Sequence, residues 1–280
     1  MLATPFPRET LLHVVKTLPA APQILARLGR MLLDLNADLA DITALLRCDA
    51  ALTTRIIRIA NSAAYNIGAP YATLEQSLAR VGFSEVYRIT GFAAVAQMVD
   101  QNLRLYGITG AQLRENSLMT ALLMEALAEP AGVDPRTAYT AGLLRSTGKI
   151  ALDRLTRDPA YAGSYSAQHG GPLAKWEGDF TGLTNCEATA FILNEWRFPA
   201  TIIMSIGDHY LPRASSNVFA HLLNLAGGAA ERCGYALPGE SFYWEASDEK
   251  FAGAHLTPEQ IEPAIEQALR QFEKARVAIA

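Results

Sequence analysis

Cysteine is scarce in this chain. Cys48, Cys186 and Cys233 are the three cysteines among 280 residues, and they stand far apart with no CxxC pair. That excludes a zinc ribbon and a disulfide framework, and it fits a reducing compartment. Positive charge is not in excess either. Twenty-four Lys and Arg face 28 Asp and Glu, for a formal net charge of −4. A chain without a basic field is not expected to bind nucleic acid nonspecifically. No run of about 18 apolar residues occurs, so no membrane span is expected. The first residues, MLATPFPRETLLHVVK, lack a basic leader, and Arg8, Glu9 and Lys16 interrupt their apolar part. They read as a structural segment rather than a signal peptide, and the protein is expected in the cytoplasm. Alternation of period two, the mark of strands, is also missing.

What is present is helical spacing. In ALTTRIIRIANSAAY, Leu52, Ile56, Ile59 and Ala63 fall on one face, widened by Ile57 and Ala60. Val86, Ile89, Ala93 and Ala96 repeat the pattern, as do Leu118, Met119, Leu122 and Ala126. Thr73 with Gln76 and Thr184 with Glu187 have the spacing of capping boxes. Asp134-Pro135 and Thr257-Pro258 each set a good N-cap before a proline at the first helical position. The chain therefore reads as all-α, with about a dozen helices and no repeat of fixed period.

LYGITG at 105–110 suggests a break, with an N-terminal helical lobe over 1–108 and a second helical lobe over 109–280. Residues 157–173 read as a long Gly- and Ser-containing loop. Residues 234–256 read as an irregular segment whose aromatics pin it to the body, before a last helix beginning at Thr257.

The stretch AGLLRSTGKI, Ala141 to Ile150, raises the question of function. It is not a phosphate loop: five residues separate Gly142 from Gly148, and Ile150 stands where the magnesium-binding hydroxyl belongs. Taken with Leu18-Pro19 and Pro22, Asp49, Leu52, Ala60-Asn61-Ser62, Tyr65, Leu74, Leu78 and Val81-Gly82, it resembles another pattern. Over roughly residues 18–230 the chain resembles HDOD proteins, helical relatives of the HD-domain metal-dependent phosphohydrolases. The resemblance implies an HD-like multi-helix bundle with an additional N-terminal lobe. It also implies where metal ligands would stand: Asn116, Arg145 and Ser146 in place of His-Asp, Asn185, His209 and Gly227. Of these only His209 is a metal-binding residue type. One histidine cannot make a three- or four-ligand site, and a guanidinium in the site repels a dication. The expectation is a vestigial site with no catalytic residue, no metal and no cofactor.

Arg145 offers a planar fork of donors, so Arg145, Asn116, Asn185 and His209 form a candidate anion site for a phosphate or carboxylate, as on a nucleotide or another phosphorylated ligand. The plainer alternative pairs Arg145 with Glu187 or Asp208. Leu143 and Leu144 are expected in the core, Gly148 at a close backbone contact, and Lys149 near the surface. Arg55, Arg58, Asn61 and Ser62 form a candidate interaction surface, with Arg80 and Arg88 nearby; its alternative is a solvated face, with Asn61 and Ser62 bonding local backbone. His13, His169, His221 and His255 lack metal spacing, and Cys48 and Cys186 read as inert packing residues.

HDOD proteins are commonly output or adaptor parts of bacterial regulatory systems. The resemblance thus implies a non-enzymatic signal-transduction module that binds an unidentified signalling protein. No receiver, GGDEF or EAL segment accompanies it, so the signal is expected to come from a separate molecule. Two alternatives stand beside this reading. One is a sensor of a phosphorylated metabolite or cyclic dinucleotide at the vestigial site. The other is a divergent phosphohydrolase drawing ligands from elsewhere, for example His169 beside His209 and Asp208. Oligomeric state is not legible.

Overall fold

The structure is a computed structural model that describes residues 6, 8–19, 21–32, 38–65, 68–99, 101–157, 163–166 and 171–279. The helices run α1 Arg8–Thr17, α2 Ala21–Met31, α3 Leu39–Leu46, α4 Ala50–Ala60, α5 Leu74–Val81 and α6 Phe83–Met98. They continue as α7 Gly110–Ala128, α8 Pro135–Leu144, α9 Thr147–Leu155, α10 Leu173–Thr181 and α11 Asn185–Glu195. The last are α12 Ala200–Asp208, α13 Val218–Arg232, α14 Asp248–Gly253 and α15 Ile261–Ile279. Among the described residues there is no strand, only an isolated bridge between Leu103 and Ile108. The fold is all-α, as the spacing predicts.

The caps explain where several helices start. Asp49 accepts from the Leu52 N–H at 2.8 Å and opens α4. Thr184 and Glu187 make the reciprocal capping box of α11, and Asp134 caps α8 ahead of Pro135. Two expectations change. Thr73 caps α5, but Gln76 accepts from the N–H of Ala72 rather than of Thr73, so the box is not reciprocal. Thr257-Pro258 opens a 3-10 turn, Pro258–Gln260, and the α-helix proper follows from Ile261.

The contacts gather the chain into two compact units. One holds Met1–Leu18 and Val99–Ala268; the other holds Pro19–Met98 and Leu269–Ala280. In this partition by contacts the chain passes between the units at 98/99, ten residues before the break suggested by LYGITG, and α1 goes with α7–α14. In the larger unit α7 packs on α8 and α13, and α11 on α9 and α12. Leu122, Leu123, Leu127, Leu143, Leu144, Leu152, Ile192, Leu193, Leu222 and Leu223 fill its core. In the smaller unit α6 packs on α2 and α4, and α5 on α3 and α4, around Leu25, Leu28, Leu46, Leu52, Ile56 and Leu78. Residues 234–256 are not wholly irregular: they contain α14 and a 3-10 turn at Ser241–Tyr243. No helix among the described residues is long and apolar enough to cross a membrane.

Candidate functional site: a buried charge network

Arg145 closes α8, and Ser146 precedes α9. Gly148, in the first turn of α9, lets that helix lie directly against α11 because it has no side chain. A Cβ there would lie 2.0 Å from the Asn185 carbonyl oxygen, and the Gly148 N–H donates to Thr189 Oγ1 at 2.8 Å. This is the close backbone contact predicted for Gly148, and Leu143 and Leu144 are in the core as expected.

Arg145 and Lys149 are each 1% exposed. Lys149 is therefore not near the surface, as its position after an apolar stretch suggests, but among the most buried side chains of the chain. Nor does Arg145 pair with Glu187 or Asp208. Glu187 is spent on the α11 capping box, and Asp208 accepts from Ser216 Oγ. The partner of Arg145 is Glu240, from the segment that reads as irregular.

Three hydrogen bonds and a second ion pair converge on Glu240. Arg145 Nη1 donates to Oε1 at 3.1 Å and Nη2 to Oε2 at 2.8 Å. Lys149 Nζ lies 3.0 Å from Oε1, and the Tyr210 hydroxyl donates to Oε1 at 2.8 Å. Burial alone would raise the Glu240 carboxyl. Arg145, then Lys149, with the bonds from Arg145 and Tyr210, outweigh it and hold the carboxyl well below the usual carboxylate range. Arg145 Nη2 also donates to Asn116 Oδ1 at 2.7 Å, and the guanidinium lies 5.6 Å from the centre of the Trp244 ring.

A second buried carboxylate balances the second cation. Glu177 accepts from the Tyr106 hydroxyl at 2.6 Å and from the Asn185 N–H and Nδ2 at 2.8 and 2.9 Å. Burial raises its pKa, against the pull of Lys149 and these donors. Tyr210 joins the halves: its hydroxyl accepts from Lys149 Nζ at 3.0 Å and from Asn185 Nδ2 at 3.2 Å.

The structure thus brings Asn116 directly onto Arg145, and Asn185 to the same network through Tyr210. His209 stands beside them, its ring 4.4 Å from that of Tyr210. Its Nδ1 lies 2.8 Å from the Ile206 carbonyl, a bond that requires the proton on Nδ1. Burial, then Arg145, push the imidazole down to about 3, so the ring is neutral. Its Nε2 has no partner among the described residues, and neither do Ser146 Oγ and Arg145 Nε. Cys186 Sγ is 3.8 Å from His209 Nδ1, yet the pair is no nucleophile and base. Nδ1 already donates to Ile206, and burial pushes the thiol up, away from thiolate.

The donor set does not fit a divalent metal. One imidazole lone pair remains, while two cations occupy the same network, and no three His, Cys, Asp or Glu gather among the described residues. At Gly227 a Cβ would meet the Trp244 ring at 2.8 Å, so the indole takes the room a carboxylate would need. His169 lies outside the described residues.

The other candidate residues belong to the smaller unit. Arg58 is exposed and Arg55 half-buried on α4. Asn61 caps the end of α4 and holds Tyr71 from both sides, its Oδ1 accepting at 2.6 Å and its Nδ2 donating at 2.9 Å. Arg88 pairs with Glu85. Sequence reasoning missed Tyr106, Glu177, Tyr210 and Glu240. Outside Tyr210 opens a cleft of about 640 Å³, with Cys186 and Tyr243 in its wall and Lys175, Arg213, Leu211 and Phe242 around it. Leu211 and Phe242 are 71% and 59% exposed.

Comparison with known proteins gives this geometry a setting. The model of the HDOD domain family matches residues 18–212. A protein of Treponema pallidum (strain Nichols) is 23% identical over 214 residues, and the match spans 71% of this chain but only 39% of that protein. A Shewanella amazonensis SB2B structure, named for a proposed phosphohydrolase, has a TM-score of 0.69 at 22% identity, covering 97% of this chain and 98% of that one. A Marinobacter aquaeolei VT8 structure, named for a proposed signal-transduction role, has a TM-score of 0.68 at 19% identity, over 96% and 64%. An HDOD domain protein of Geobacter sulfurreducens has a TM-score of 0.62 at 18% identity, over 96% and 92%. At these identities the likeness is one of fold.

Proposed function

The chain belongs to the HDOD domain family, and from that premise we propose that it is a non-enzymatic regulatory module that works by binding a separate signalling protein. The observation that carries this reading is the use made of the site. Where hydrolysis would need imidazoles and carboxylates around a dication, Arg145 and Lys149 are locked onto Glu240, with Glu177 and Tyr210 completing the network. Every strong donor there is turned inward. The protein's means of acting is then its surface.

The cleft outside Tyr210 is the surface we assign to the partner. Leu211 and Phe242 offer apolar area at its rim, and exposed aromatic and aliphatic side chains beside a concavity are what a partner's anchors seek. The Arg55–Arg58 face of α4 is the second candidate, suited to an acidic partner.

The test is metal content by plasma mass spectrometry. The protein is purified without an affinity tag or chelator and measured, then measured again after addition of manganese, iron, zinc and magnesium and desalting. Negligible metal is expected throughout. Stoichiometric metal that survives desalting would overturn the non-enzymatic reading and make phosphomonoesters and cyclic dinucleotides the substrates to assay.

A further inference from the structure

Glu240 is bound the way a protein binds a ligand. Its carboxylate is approached from three directions by groups on different elements: Arg145 after α8, Lys149 on α9 and Tyr210 after α12. Each of these groups is positioned by contacts other than Glu240. Arg145 is held by Asn116, and its carbonyl accepts from Thr189. Lys149 Nζ lies 5.1 Å from the centre of the Tyr106 ring and donates to Tyr210. Tyr210 accepts from Asn185 as well. All are at least nine-tenths buried. Donors fixed in place before their acceptor arrives make an anion receptor.

We propose that Arg145, Lys149 and Tyr210 form a carboxylate receptor that exists independently of the residue filling it, with Glu240 as its tethered occupant. A free small monocarboxylate takes the place when that side chain is cut back. The chemistry names the ligand. Glu240→Ala removes a methylene and a carboxylate beyond Cβ, which is acetate less one hydrogen. The space and the donors left behind match acetate nearly atom for atom. Formate leaves the methylene space empty, and propionate exceeds it by one carbon. In the intact chain the same affinity holds the segment between Leu237 and Tyr243 in place.

The experiment is thermal unfolding of full-length Glu240→Ala, followed by circular dichroism, in sodium acetate against sodium chloride at equal ionic strength and pH. The variant is expected to melt several degrees below the wild type in chloride. Its Tm should rise with acetate concentration as linkage requires for a ligand of the folded state. Formate and propionate should be weaker, and the wild type should show no acetate-specific change. Glu240→Gln fills the same space with a neutral amide and should not respond to acetate. Equal melting in acetate and chloride overturns the proposal, and so does an acetate response in Glu240→Gln as large as in Glu240→Ala. If Glu240→Ala does not fold in chloride, its refolding yield from urea is read instead: acetate-dependent recovery supports the receptor, and no recovery in any carboxylate overturns it.

Discussion

The two compact units fill their interiors differently. In the smaller unit, the buried polar residues among those described are three hydroxyls, Thr43, Ser77 and Thr90. Every buried charged residue of the described chain, Arg145, Lys149, Asp153, Glu177 and Glu240, lies in the larger. Both interiors are helices packed through Leu, Ile and Ala, so helix packing does not require the charges. A buried ion pair is weak evidence for stability, since desolvation offsets much of its attraction. What the contrast teaches is that the larger unit carries a polar centre for reasons other than holding helices together, and that the centre is stable only when complete.

The largest effect should come from breaking that centre without replacing it. Glu240→Ala leaves two buried cations with one carboxylate between them and should cost about 3–5 kcal/mol in urea unfolding. A cost below about 1 kcal/mol would erase the distinction between the two interiors. Leu52→Ala, in the smaller unit, should cost about 2–5 kcal/mol by cavity formation alone. Its unfolding should show none of the acetate dependence expected of Glu240→Ala.

His209 should make stability pH-dependent. Its pKa is about 3 in the folded chain against about 6.5 when unfolded. The unfolded state therefore binds more protons between these values. Stability is full above about pH 6.5 and falls by about 1.4 kcal/mol per pH unit below it. Urea unfolding of the wild type and His209→Gln at falling pH checks this, and the variant should lose that slope. Glu240 acts in the same direction: its share begins to fall below the ordinary glutamate pKa of about 4.3 and is lost progressively as pH drops toward its depressed folded value. Glu177, raised by burial, acts in the opposite direction, and its stabilising share is lost as pH rises through its folded pKa.

Replacing the whole centre sharpens the comparison. Arg145→Met with Lys149→Met, Glu177→Gln and Glu240→Leu should be neutral or stabilising by about 1–4 kcal/mol if the charges are dispensable to the fold. A loss as large as that of Glu240→Ala would show that the larger interior depends on them. The smallest effect should come from the surface. Lys175 pairs with Asp179 across an exposed turn of α10, and Lys175→Ala should cost at most about 0.5 kcal/mol.

The fold was legible because its signals are local. Leu52, Ile56 and Ile59 sit on one face at helical spacing, and Asp134-Pro135 and Thr184 with Glu187 mark helix starts within four residues. The candidate site was legible in part for the same reason: AGLLRSTGKI fixes Leu143, Leu144, Arg145 and Gly148 around one turn. Its partners were not. Glu240 stands 95 positions after Arg145 in a segment without periodicity, and nothing nearby marks it as the carboxylate Arg145 needs. Lys149 was misplaced because only the tertiary packing of Tyr106, Glu177 and Tyr210 makes burying an ammonium tolerable. The one available signal was the presence of two cations in a stretch otherwise small or apolar, which demands carboxylates from somewhere. The aromatics of 234–256 do pin their segment, Tyr243 stacking on Tyr210 at 4.1 Å and Trp244 lying against Gly227, but Phe242 remains exposed.

The distance along the chain between Glu240 and its cations also bears on time. Joining them closes a long loop, and the donors are in place only after α8, α9 and α12 have assembled. Contacts that close so long a loop are expected to form after the rate-limiting barrier to folding, which a folding φ-value near zero for Glu240→Ala would check. Their loss hardly slows folding and mainly hastens unfolding. The tethered carboxylate is in this sense a retention device: it sets how long a folded molecule lasts between openings more than how fast it forms.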